Sequence, residues 1–123
     1  MPKSVAVIGA SSDRRKFGNK ALRAFASRGY TVVAINPHER AIEGHPTYPS
    51  VLDVPGSIDM ATVYVQPEVG VAVMEEIANK GIAEVWLNPG ADAPEVVARA
   101  EALGLKTVQA CSIIGIGESP SRY

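Results

Sequence analysis

Three times along this chain a helical period ends in glycine, then an apolar residue, and then a short apolar strand. The joints are Gly29-Tyr30 before Thr31–Ile35, Gly81-Ile82 before Glu84–Leu87, and Gly104-Leu105 before residues 106–110. A glycine just past a helix closes it in the left-handed conformation, and the apolar residue after it packs back onto the last turn. Each joint therefore hands a helix over to a strand. Strands alternating with helices at this spacing define βαβ units, and βαβ units build a parallel sheet.

Five strands are predicted: residues 5–8, 31–35, 60–65, 84–87 and 106–110. Their interiors are apolar on both sides, as a sheet covered on both faces requires. Three helices connect them. The first, from Phe17 to Arg28, presents Phe17, Ala21, Leu22 and Phe25 on one face. The second opens at Pro67 and packs through Val69, Val73, Ile77 and Ala78. The third opens near Pro94 and packs through Val96, Ala100 and Leu103. Residues 38–59, rich in proline and glycine, read as a loop with one short helical turn, pinned by Tyr48 and Val51-Leu52. The tail from Cys111 is expected to fray. The fold class is α/β: a Rossmann-like parallel sheet of about five strands with helices on both faces, in three α/β/α layers.

A chain of 123 residues suffices for one domain, so residues 1–123 are read as a single unit. No apolar run approaches the roughly 18 residues of a membrane span. Met1-Pro2-Lys3 is read as leading straight into a strand, so no signal peptide and a cytoplasmic setting are expected. The one cysteine, Cys111, excludes an internal disulfide, and the Cys/His spacing points to no metal site. The net charge of −1 conceals an asymmetry. Up to residue 40 eight basic residues face only Asp13 and Glu39, so the rest of the chain is strongly acidic. An anionic ligand belongs with the first βαβ unit. Within it, the run Arg14-Arg15-Lys16 is assigned to the ligand, and Arg23 and Arg28 to a solvated helix face.

Right-handed crossovers place all strand C-termini on one edge, where such sheets bind ligands. That edge collects Gly9-Ala10-Ser11, Asn36-Pro37, Gln66-Pro67, Asn88-Pro89-Gly90 and Cys111. The stretch Ser4 to Lys20 (SVAVIGASSDRRKFGNK) is a strand, a small-residue turn and a helix start, the parts of a phosphate cradle. It lacks the second glycine of a dinucleotide fingerprint, and Ile35-Asn36-Pro37 carries no acid at the end of the second strand. Both departures count against NAD and leave NADP or coenzyme A. His38 and Arg40 would suit a ribose phosphate, although His38, like His45, also reads as a solvated loop residue. Trp86, inside a strand, reads as core or interface.

Taken in order, Val7-Ile8-Gly9-Ala10-Ser11, Gly29-Tyr30, Ile35-Asn36-Pro37, Ile42-x-Gly44, Tyr48-Pro49-Ser50, Asp53-Val54-Pro55, Ile58-Asp59, Glu75-Glu76, Gly81, Val85-Trp86 and Cys111 form a set. With that set the chain resembles the small, single-domain CoA-binding proteins of bacteria and archaea, whose fold is similar to the N-terminal CoA-binding domain of the succinyl-CoA synthetase α subunit. The resemblance runs from about Ser4 to Ile116. It implies that Gly9, Ala10, Ser11, Ser12, Arg14, Lys16, Phe17 and Gly18 hold the CoA phosphates. Asn36 and Pro37, with His38 and Arg40, would border the adenosine and its 3′-phosphate. Val65, Gln66 and Pro67 would wall the adenine side, and Asn88 and Pro89 the opposite side. His38 stands where relatives often have lysine, and Asn88 where they often have glutamine.

The expected ligand is coenzyme A or an acyl-CoA, a small nucleotide-type molecule, with no nucleic-acid or membrane partner. An apolar face with Trp86 or the Ile113–Ile116 tail would serve a protein partner or a homodimer. No nucleophile paired with a base is visible, so no catalytic residue is assigned and a sensing, carrier or regulatory module is favoured over an enzyme. Two alternatives remain: an NADP-binding oxidoreductase-like protein or subunit, and a thiol-exchange or acyl-transfer protein using Cys111.

Overall fold

The computed structural model describes residues 3–123; Met1 and Pro2, the start of the run read as leading straight into a strand, lie outside them. In chain order the main elements are β1 (Ser4–Ile8), α1 (Phe17–Ser27), β2 (Thr31–Ile35), β3 (Ala41–Ile42), β4 (His45–Tyr48) and β5 (Met60–Val63). They continue as α2 (Pro67–Lys80), β6 (Glu84–Leu87), α3 (Pro94–Ala102), β7 (Lys106–Val108) and α4 (Ser112–Gly115). Short 3₁₀ turns lie at Val51–Asp53 and Pro120–Arg122.

The strands form one sheet in the order β3-β4-β2-β1-β5-β6-β7, parallel throughout except for the β3–β4 pair. The strand β1 lies between β2 and β5, each pairing parallel to it. The chain thus winds to one side of β1 and then to the other. Above the C-terminal end of β1 the two directions part, leaving a crevice no crossover covers.

Side-chain alternation along β1 explains the three layers. Ala6 and Ile8 join the cluster under α2 and α3, with Val63, Met74, Ile77, Leu87 and Val96. Val5 and Val7 join the opposite cluster under α1 and α4, with Leu22, Phe25, Ala34 and Ile113. A strand buried on both faces must be apolar at every position, because successive side chains point to opposite sides. The α/β class and the covered sheet read from sequence are borne out. The three helix-ending glycines also adopt positive φ: Gly29 +83°, Gly81 +85° and Gly104 +75°.

Several details differ. The sheet has seven strands rather than about five, because β3 and β4 form a hairpin inside the segment read as a loop. Its two-residue turn, Glu43-Gly44, has φ of 50° and 79°, the mirror-type turn whose twist suits a hairpin. Strands of two and four residues, one containing Pro46, leave no periodic signature. The expected helical turn is present at Val51–Asp53, where Val51 is buried but Leu52 is exposed. β5 and β7 each stop two residues early. Phe17 and Val69 are exposed rather than packed. Val69 turns outward because α2 meets α3 through Gly70, where a Cβ would stand 3.1 Å from Val96 Cγ2.

The tail docks instead of fraying. Ile113 is fully buried, and Arg23 Nη2 donates to the Tyr123 main-chain oxygen at 2.9 Å. Arg28 donates to Glu118 Oε2 at 2.6 Å and to Gly117 O at 2.8 Å. Arg23 and Arg28, read as a solvated face, are the anchors of this segment. Among the described residues no helix is long and apolar enough to cross a membrane.

Candidate functional site

A polar groove of about 470 Å³ opens over the C-terminal ends of β1, β2, β5 and β6. One wall is the loop after β1. Gly9 and Ala10 donate their N–H groups to Ile35 O at 3.1 and 3.3 Å, tying the turn to β2. Gly9 has φ +91°, and a Cβ there would meet Tyr64 O at 2.9 Å. Gly18 is tighter still, since its Cβ would lie 2.2 Å from Gly9 O. Both glycines are required by the approach of α1 and β5 to this turn. Beside them, α1 opens on Lys16 with no side-chain cap, so the helix N-terminus points unpaired N–H groups and positive dipole at the groove.

The basic run is mostly neutralised within the protein. Arg15 pairs with Asp13 at 3.0 Å, and these bonds hold the Asp13 carboxyl at about 2. Arg14 Nε lies 3.3 Å from Glu43 Oε2, which also accepts from buried Asn19 Nδ2 at 3.1 Å. Lys16 lines the groove without an ion pair among the described residues. The N–H of Ser12 donates to Glu39 Oε2 at 3.1 Å. An acid therefore does reach the first loop from beyond β2, four residues after Ile35, where the sequence reading looked only at the strand end.

A second, apolar cavity of about 280 Å³ adjoins the groove and shares Phe17, Tyr64 and Pro89 with it. Asn88, Cys111, Ile114 and Pro120 complete its lining. Behind it lies a buried polar network. Asn88 Nδ2 donates to Thr62 Oγ1 at 2.7 Å and to Val63 O at 3.0 Å, while Asn88 Oδ1 accepts the Ser112 N–H at 2.8 Å. This bond seats the first residue of α4 on the sheet edge and brings Cys111 and Ile114 to the cavity.

Of the residues singled out from sequence, Gly9, Ala10, Ser11, Lys16, Phe17, Gly18, Asn36, Val65, Gln66 and Pro89 come together around the groove. Asn88 faces the second cavity. Ser12, Arg14, Pro37, His38, Arg40 and Pro67 lie outside both linings. Ser12 and Arg14 are engaged by Glu39 and Glu43, whereas Pro37, His38 and Arg40 are exposed on the loop after β2. Pro67 is the first residue of α2. Trp86 packs against α4, where a Cβ on Gly115 would stand 2.7 Å from its ring, in keeping with the core reading. Gly90, placed at this edge from sequence, also lines the groove, whereas sequence reasoning missed Tyr64 and Ala91. Tyr64 was counted as strand interior, and only the early end of β5 at Val63 puts it at the groove.

Fold and crevice together define a Rossmann-like α/β domain with a polar groove at the switch point of the sheet. The chain belongs to the family described as the CoA binding domain, whose sequence model matches residues 3–117. It is 41% identical over 81 residues to an ADP-forming acetate–CoA ligase I of Archaeoglobus fulgidus, a match covering 66% of this chain and 12% of that protein. A conserved hypothetical protein from Pyrococcus furiosus superposes with a TM-score of 0.82 at 29% identity, over 94% of this chain and 99% of that one. The dinucleotide-forming acetyl-coenzyme A synthetase 1 of Ca. Korarchaeum cryptofilum, in its apo form, gives 0.76 at 29% identity, over 89% of this chain and 26% of that one. The chain thus spans about an eighth of the length of the curated ligase it matches. The resemblance read from the ordered motif set is borne out.

Proposed function

We propose that this chain binds coenzyme A or an acyl-CoA and acts as a carrier, sensor or regulatory module. The observation that carries this reading is the junction of two cavities of opposite character: a polar groove at an uncapped helix N-terminus, and an apolar pocket continuous with it. A CoA molecule has the same division, with a charged nucleotide end and a long neutral arm. The diphosphate is assigned to Lys16 and the first turn of α1. The adenosine is assigned to the space between Asn36 and the Val65-Gln66 wall, with Pro37, His38 and Arg40 next to the 3′-phosphate. The arm is assigned to the cavity beyond Pro89.

A thermal-shift titration with CoA, dephospho-CoA, NADP and NAD tests this. A ligand at 100 times its Kd adds about 2.7 kcal/mol, several degrees for a domain of this size. A rise with CoA that shrinks for dephospho-CoA is expected. A rise with NADP or NAD alone would replace the CoA reading by a dehydrogenase-like one, and Glu39 against the first loop is why NAD belongs in the panel. A second reading has one observation in its favour: Cys111 is half-buried and lines the arm cavity. Thiol labelling that CoA blocks would support exchange chemistry at Cys111, and a thiol inert in both states would end that reading.

A further inference from the structure

A run of hydroxyls lies under the wall between the two cavities, and its direction can be worked out. The Asn88 amide is oriented by its neighbours, since Oδ1 accepts a main-chain N–H from Ser112 and Nδ2 faces the carbonyl of Val63. An amide nitrogen only donates, so Thr62 Oγ1, 2.7 Å away, is the acceptor. Thr62 is fully buried, and its own proton must find an acceptor. Ser112 Oγ stands at 2.7 Å to take it. Ser112, itself buried, then has one proton to place, and the Tyr64 oxygen is 3.0 Å away. Asn88 therefore donates to Thr62, Thr62 to Ser112, and Ser112 to Tyr64.

At the end of this run the Tyr64 hydroxyl already accepts. Among the described residues no acceptor remains for its proton, while its side chain borders both cavities. Burial pushes its pKa above the ordinary phenol value against the opposing pull of the Ser112 hydroxyl, so the group stays protonated at neutral pH. A neutral donor at the mouth of an apolar pocket suits a neutral acceptor better than a phosphate.

We infer that Tyr64 is a ligand-binding residue whose phenol donates a hydrogen bond to a carbonyl oxygen, amide or thioester, in the arm of the bound CoA or acyl-CoA. This rests on the CoA reading above and names the group that orients the arm as it passes from groove to pocket. Tyr64→Phe keeps the ring and removes the donor. Its affinity is compared with that of the unaltered protein for CoA, acetyl-CoA and 3′-phospho-ADP, the last being CoA without its arm. The expected result is about tenfold weaker binding of the armed ligands with 3′-phospho-ADP unchanged. A loss confined to acetyl-CoA places the bond on the thioester carbonyl, and a loss shared with CoA places it on an arm amide. An equal loss for all three ligands, or no loss, overturns the inference. Should Tyr64→Phe alone fail to fold, the variant Thr62→Val/Tyr64→Phe/Ser112→Ala clears the whole hydroxyl run and is read in the same way. Failure of the unaltered protein to bind any of the three would instead sink the CoA reading, and this inference with it.

Discussion

Gly18 has no room for a side chain. Its neighbour is the main-chain oxygen of Gly9, 2.2 Å from where a Cβ would sit, so the start of α1 and the turn after β1 are built against each other. The two glycines that marked this stretch as a phosphate cradle are thus required by the protein's own backbone, and any anion site is a consequence of that contact. Gly18→Ala is expected to lower stability by about 1–3 kcal/mol, since main-chain atoms on both sides must shift. A urea melt reads this as a lower midpoint at unchanged slope. An unaltered midpoint would mean the turn yields freely. Tyr64 carries the opposite lesson. It was legible as an aromatic strand residue, yet its role depends on where β5 stops and on a hydroxyl run reaching back to Asn88.

The helices and parallel strands were legible because their signals are local: apolar periods, closing glycines and proline at the first helical turn. The β3–β4 hairpin and the tail were not. The tail is held at the C-terminal end of α1, by Arg28 with Glu118 and Ser27 with the Tyr123 hydroxyl, and by Ile113 in the core. Glu118 is held below the ordinary carboxylate value, first by the hydrogen bond from Tyr123 and then by Arg28. A depressed carboxyl contributes in full above its unfolded pKa, and its contribution is lost as pH falls through the folded one. The tail should therefore loosen on acidification below the ordinary glutamate range. Trp86 packs on Gly115 of α4, so its fluorescence reports the seat of this segment. An acid transition in Trp86 emission that Glu118→Gln removes is expected; an identical transition in that variant would assign it to another group.

Across the whole molecule, folding gives internal partners to four of the eight basic residues among the first forty. Arg14 goes to Glu43, Arg15 to Asp13, Arg28 to Glu118 and Arg23 to the end of the tail. Lys16 is left at the groove. Lys16→Ala is expected to weaken CoA and 3′-phospho-ADP alike by about tenfold, as loss of one charge-assisted contact does, while Arg15→Ala stays within about twofold. Calorimetric titration distinguishes the two, and the reverse order would return the phosphates to the arginine run. The sequence alone determined the α/β class, the covered parallel sheet and the turn that opens the groove, because near neighbours and short periods carry that information. The tertiary structure alone decided which donors stay free. The bonds that settle it join Asn88 to Ser112, 24 residues apart, Ser12 to Glu39, 27 apart, and Arg23 to Tyr123, 100 apart. Such partners are chosen by where the strands and helices bring them together in space, and no period or cap in the chain encodes the choice.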